Sequence, residues 1–387
     1  MNDPGTIIRF ICAALTPWEQ GNDRERLREQ IRSGSVPWER VVEIASKHFV
    51  ITSLWSGFFD KGLAELLPED LIEALEELHR LNSLRNDSIT RQVREIIECL
   101  NAIGLEPLLL KGSAYLATGT FPDAGARFMW DIDVMVPQEV SEEAVKALTY
   151  HGYRMLHADH PAFELSPHLP PLEHPSGIAQ VELHTSLASQ VEPQVLKVPQ
   201  AWETSQVLRA KDLTFRVLSP AHTVLYNLLH TEIRHLGYGC GILPLRGLYD
   251  FAHQFFRAGG HLDWSTMESA MAGQGIHRVL RSYLFMARRL FSAPVPLNLV
   301  RGSSSHLHLD RCVAQMRNPL FMIIGRTWGL LQSHYSSHRI RQTFAPDDTL
   351  AGVARGRVRY TGYLFRKYLR AAPWRVLRRR IRDIESR

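Results

Sequence analysis

The strongest constraint on this chain is a change in hydrophobic period near residue 105. From Leu71 to Leu100 the apolar residues Leu71, Ile72, Leu75, Leu78, Leu81, Leu84, Ile89, Val93, Ile96, Ile97 and Leu100 recur with Arg and Glu between them. A spacing near 3.6 predicts one long amphipathic helix. Glu69 and Asp70 suit its positive first turn, and Gly104 suits its stop. At Pro107 the period collapses. Leu108-Leu109-Leu110 is a short apolar run that ends at Lys111-Gly112-Ser113, as a buried strand entering a tight turn does. Ile132 to Val136 reads as a second strand, and Ile178 to His184, with Val181 and Leu183 alternating against Glu182 and His184, as a third. Between them Ser141 to Tyr150 has helical character, with Ser141 as N-cap and Gly152 past its end. Residues 161–177, rich in Pro and His, read as a long loop.

The helical period returns after Pro220, at Val224, Leu225, Leu228 and Leu229, then over 245–256, 279–291 and 318–335, with 296–306 expected as a loop. Pro37-Trp38 opens a further helix near the start. Helices, a small sheet and helices again define an α+β protein with a small mixed sheet. The boundaries expected are a helical region at 1–104, a sheet-bearing core at 105–215, a second helical region at 216–345 and a basic tail at 346–387.

At 387 residues the chain exceeds one ordinary core. The four cysteines are scattered, without a Cys-x-x-Cys pair, which argues against a zinc site or disulfide framework. The start lacks the basic and apolar pattern of a signal peptide. The apolar run at 319–331 is broken by Arg326 and is shorter than the roughly 20 residues a membrane span needs. A cytoplasmic protein is the expectation. The net charge of +5 is unevenly placed. From Arg355 onward there are 12 Arg and Lys against two acids, which leaves the rest of the chain acidic. Trp374, Leu377, Ile381 and Ile384 form a stripe among arginines, a basic amphipathic helix that suits an anionic membrane surface, an acidic partner or the protein's own acidic body.

Residues two apart on a strand share a face, so Asp131 and Asp133 present their carboxylates side by side while Ile132 and Val134 face the core. Carboxylates that close repel unless a cation lies between them, and Mg²⁺ favours hard oxygen ligands. A third carboxylate on a neighbouring strand, for which Glu182 is the candidate, would complete a site for two ions about 4 Å apart. An isolated Asp-x-Asp triplet says little, and metal-dependent glycosyltransferases use one too. Its context here, alternating apolar residues and a preceding Gly-Ser turn whose N–H groups suit a phosphate, makes it informative.

Residues 108–136, LLLKGSAYLATGTFPDAGARFMWDIDVMV, resemble the uncharacterised nucleotidyltransferase family of the DNA polymerase β-like superfamily. YHGY at 150–153, VELH at 181–184, LYNLLH at 225–230 and GLYDFAHQF at 247–255 extend the likeness over roughly residues 40 to 260. The stretch 114–130 is longer than the superfamily's usual gap and typical of this family. The resemblance implies a polymerase β-like core flanked by helical regions. It implies that Asp131 and Asp133 bind two Mg²⁺ or Mn²⁺ ions, that Glu182 binds the catalytic one and helps deprotonate the acceptor, and that Gly112 and Ser113 hold a nucleoside triphosphate. Lys111 is a candidate phosphate contact as a point charge. Arg127 is suited either to the triphosphate or to a salt bridge with an acidic neighbour. His184 shares a face with Glu182. His230, His235, Arg246 and Asp250 fall where helices of this superfamily close over the nucleotide. His306-x-His308-x-Asp310 looks metal-like, but a surface placement is expected.

The activity these residues imply is transfer of a nucleoside monophosphate from a nucleoside triphosphate to a hydroxyl, with pyrophosphate released. The acceptor is open: a small molecule, a sugar, a peptide or an RNA end. A catalytically silent relative that binds nucleotide or a partner protein, and a glycosyltransferase using Asp131 and Asp133, are the alternatives.

Overall fold

A computed structural model describes residues 3–18, 22–156, 166–189, 192, 195–272, 276–334, 347, 349 and 351–360. The chain begins with helices α1 (Pro4–Leu15), α2 (Asp23–Arg32), α3 (Trp38–Lys47), α4 (Ile51–Asp60) and α5 (Glu69–Asn101). The long period read from 71 to 100 is α5, and Gly104, at φ +76°, ends it as expected. The C-terminal half of α5 buries Ile89, Val93, Ile96, Ile97 and Leu100 against the sheet, whereas Leu78, Leu81 and Leu84 further up are exposed.

The sheet is mixed and seven-stranded: β1 (Leu108–Leu109), β2 (Asp131–Met135), β3 (Arg154–Met155), β4 (Leu172–Glu173), β5 (Gln180–His184), β6 (Gln206–Ala210) and β7 (Leu213–Val217), in the spatial order β3-β4-β5-β2-β1-β7-β6. β5 runs parallel to β2, and β1 runs antiparallel to β2 and parallel to β7. Three of these strands stand where the sequence predicts them. β4 lies within the segment read as a loop, and the hairpin β6–β7 lies beyond it. Helix α6 (Lys111–Thr118) follows β1 directly, so the predicted Gly-Ser turn is the first turn of a helix. Helix α7 (Ser141–Tyr150) has Val140 as its N-cap, and Ser141, one place inside, gives its hydroxyl to the Gln138 carbonyl.

After the short α8 (Val198–Glu203) and the hairpin come α9 (Pro220–Leu228), a π-helical turn (Leu229–Arg234), α10 (Gly237–Cys240), α11 (Leu245–Arg257), α12 (Trp264–Ala272), α13 (His277–Phe291), α14 (Leu297–Val300), α15 (Ser303–Arg317) and α16 (Pro319–His334). The loop expected at 296–306 is therefore largely helical. Ile7, Ile8 and Ile11 of α1 are fully buried in one cluster with Leu54 and Phe58 of α4 and Tyr283, Leu284 and Phe291 of α13. The first and last helical regions thus share a core. Each such side chain is worth roughly 1.5–3 kcal/mol of burial. No helix among the described residues is long and apolar enough to cross a membrane. The predicted tail helix at 373–384 lies outside the described residues.

Candidate active site

The acids sit where β2 and β5 run side by side. Parallel pairing puts Asp133 opposite Glu182 and Asp131 opposite Gln180, and the two-residue repeat turns Asp131 to the same face as Asp133. Glu182, Asp133 and His184 each offer a ligand atom within 4.8 Å of the others. Asp133 and Glu182 line a cleft of about 260 Å³ together with Asp131, Lys111, Gly112, Arg127, His230, His235, Arg246 and Asp250, while His184 is fully buried outside its lining. A larger cleft of about 600 Å³ beside His222 and Asp263 gathers no comparable set of acids.

Asp133 is fully buried, and its surroundings explain how a charge survives there. Burial alone would neutralise it. Lys111 Nζ lies 2.6 Å from its Oδ1 and His184 Nε2 2.9 Å from the same oxygen, and together they hold its carboxyl well below the usual carboxylate range. Oδ2 is buried with no hydrogen-bond partner. Lys111 gains in turn. Burial opposes its charge, but Asp133 facing it raises its pKa. Lys111 adopts φ +47°, a left-handed conformation uncommon outside glycine and enriched at functional sites.

Asp131 behaves oppositely. Burial, then the charge of Asp133, push its carboxyl up to about 6, against the pull of Lys111. Glu182 is shifted down: burial opposes its charge, and a hydrogen bond with His184 favours it. Asp131 and its acidic neighbours are thus pushed apart in pKa, by burial and shared charge on one side and by Lys111 and His184 on the other. His168, in the Pro- and His-rich segment, reaches within 3.8 Å of Glu182 and lines the cleft, a residue the sequence reading did not single out. Trp130 also lines the cleft and is half-exposed beside Phe128.

The remaining predicted residues divide. Gly112 lines the cleft, and a Cβ there would meet Arg127 Nη1 at 2.9 Å and Met129 Cε at 3.0 Å, so any larger residue makes those side chains shift. Ser113 is fully buried behind the cleft, and its hydroxyl accepts the Asp133 backbone N–H at 2.9 Å. It supports the strand rather than facing a ligand. Arg127 takes the salt-bridge alternative: Nε donates to Asp250 Oδ1 at 2.7 Å and Nη2 to Oδ2 at 2.8 Å, with the guanidinium 5.2 Å from the Tyr115 ring centre. His184 packs its ring 5.2 Å from that of His168, and its Nδ1 is buried without a partner. A metal-ligating histidine usually donates its other ring nitrogen, so His184 fits an orienting role toward Asp133 better than a ligand role. His306 and Asp310 are exposed on α15, while His308 is buried and stacked on Tyr238 at 4.3 Å. That motif therefore forms no metal cluster among the described residues.

Residues able to hold a divalent cation are present. Asp133 Oδ2 is orphaned, the Asp131 carboxyl is raised by burial and then by the charge of Asp133, and hard oxygens converge from adjacent strands. A mixed sheet thus carries acids on adjacent strands beside the strand-to-helix turn at Lys111-Gly112. The model of a family described as an uncharacterised nucleotidyltransferase matches residues 34–292, about two thirds of the chain, and the chain belongs to that family. No curated protein matches it.

Proposed function

We propose that this chain is a divalent-metal-dependent nucleotidyltransferase that moves a nucleoside monophosphate from a nucleoside triphosphate to a hydroxyl acceptor. Asp131, Asp133 and Glu182 would hold Mg²⁺ or Mn²⁺, which on binding supplies Lewis-acid stabilisation of charge at the phosphorus. The protein's own groups do the rest. Lys111 and Gly112, at the start of α6, face the phosphate chain, and His184 fixes the Asp133 carboxylate. Glu182 takes the acceptor proton as the acceptor oxygen bonds to the α-phosphorus. The bond from that phosphorus to the bridging oxygen breaks, and pyrophosphate leaves. A protein working on nucleoside triphosphates fits the cytoplasm, and the acceptor is a small molecule, sugar, peptide or RNA end.

The parallel register of Asp133 with Glu182 carries this reading, because it gathers carboxylates that are separate in sequence onto one patch. The family match gives no support to the sugar-nucleotide use of the Asp-x-Asp pair. A second reading, a silent relative that binds nucleotide without turnover, draws on Lys111 already neutralising Asp133. The test is incubation with α-phosphate-labelled nucleoside triphosphates, Mg²⁺ or Mn²⁺ and cell extract. Label transferred by the wild type and lost in Asp131→Asn supports transfer; nucleotide binding with no transfer under any condition supports the silent relative.

A further inference from the structure

Four cationic side chains line the acidic cleft among the described residues: Lys111, Arg127, Arg234 and Arg246. Three already have a carboxylate. Lys111 meets Asp133, Arg127 meets Asp250 and Arg234 meets Glu192 at 3.2 Å. Arg246 does not. It is half-buried at the start of α11 with its guanidinium 5.5 Å from the Phe49 ring centre. Among the described residues no hydrogen bond or ion pair involves it. Its natural partner one turn along the helix, Asp250, has both oxygens taken by Arg127. Burial and the neighbouring Arg127 charge both work against its protonated form. A guanidinium held this way costs stability unless an anion arrives.

The same cleft has the complementary vacancy of charge. The Asp131 carboxylate has no hydrogen bond or ion pair with another residue among the described residues, Arg246 included. One cleft therefore keeps an uncompensated acid and an uncompensated base apart. A ligand that satisfies both brings a cation to the acids and an anion to the guanidinium, and a metal-bound polyphosphate does both. Arginine's planar fork suits phosphate oxygens in a way a lysine point charge does not.

We propose that Arg246 is the binding residue for the phosphate chain of the nucleotide, in the role the sequence offered to Arg127. This rests on the nucleotidyl-transfer reading of the same cleft. It makes the substrate a nucleoside polyphosphate rather than a nucleoside or monophosphate.

The test uses the full chain with inorganic triphosphate, a nucleoside triphosphate and a nucleoside as probes, and with Arg246→Gln and Arg246→Lys beside wild type. Arg246→Gln is expected to weaken both phosphate probes by on the order of tenfold or more, with the nucleoside unaffected. Arg246→Lys recovers only part of that loss. Inorganic triphosphate competes with the nucleotide in wild type. Without ligand, the melting temperature of Arg246→Gln is equal to or above wild type, and Mn²⁺ binding at the acids is unchanged. Wild-type phosphate affinity in Arg246→Gln, simultaneous binding of both phosphate probes, or a lowered melting temperature overturns the assignment to Arg246 while leaving nucleotide binding standing. A wild-type chain that binds Mn²⁺ but no phosphate probe overturns the assignment and the transfer reading together.

Discussion

Arg127 and Asp250 are 123 residues apart in sequence and meet through two parallel hydrogen bonds in the wall of the cleft. They tie the loop before β2 to α11, so the acidic patch and the helical wall above it are held in one geometry. Both side chains are nearly inaccessible to water, at 10% and 6% exposure.

Breaking this pair should therefore be expensive. Asp250→Asn or Arg127→Met alone strands a buried charge or removes its partner, and each is expected to lower unfolding free energy by about 3–5 kcal/mol. The double variant Arg127→Met with Asp250→Asn should lose less than the two single changes summed. Urea unfolding of the four proteins measures the coupling, and strict additivity would show that the pair does not act as a unit.

Asp131 and Asp133 should separate function from folding. Asp133→Asn leaves Lys111 buried without its counter-charge, so a clear loss of thermal stability is expected with the loss of transfer. Asp131→Asn relieves repulsion, so it should fold at least as well as wild type while transfer falls by about a hundredfold or more. Differential scanning calorimetry beside the labelled-nucleotide assay distinguishes them. Equal destabilisation by both changes would contradict the environments described.

Glu232 gives a pH signature. It sits in the π-helical turn, buried, with both carboxylate oxygens unpartnered, and burial pushes it up to about 8 from an ordinary 4.5. Between those values the unfolded chain has released this proton and the fold still holds it. Its destabilising effect is thus absent below about pH 4, grows as pH rises and is complete above about pH 8. Glu232→Gln should be more stable than wild type by an amount that follows this course. Chemical denaturation at pH 4, 6 and 8 checks it, and a gap independent of pH would be inconsistent with a buried, unpaired acid.

Gly112→Ala should crowd Arg127 and Met129, at about 1–3 kcal/mol in stability. Because Arg127 is fixed by Asp250, part of the displacement falls on the start of α6, and weaker nucleotide affinity should accompany the stability loss. Full affinity and stability in this variant would mean that the close approach is readily relaxed.

The legible parts of the fold were those with a repeat long enough to count. The stripe along α5 and the alternation in β2 and β5 gave both elements, and the spacing of Asp131 and Asp133 gave their common face. The register that sets Glu182 against Asp133 depends on which strands become neighbours, and no local pattern encodes that. The same is true of Arg127, whose partner lies on a helix far along the chain. β3 and β4 are two residues each, too short for a period. The hairpin β6–β7 did carry a signal in Leu213, Phe215 and Val217, alternately buried, but the outward face of β6 is almost wholly exposed and masks it. His168 was hidden in a segment whose Pro content reads as irregular.

Because α1 packs on both α4 and α13, one side of its oily face is covered by a helix close by in sequence, and the other waits for a helix made roughly 260 residues later. The side reserved for α13 stays unsheltered meanwhile, a span in which nascent chains invite holding factors or clump. Removing either α1 or α13 to obtain a smaller piece would bare the surface that the other was shaped to cover.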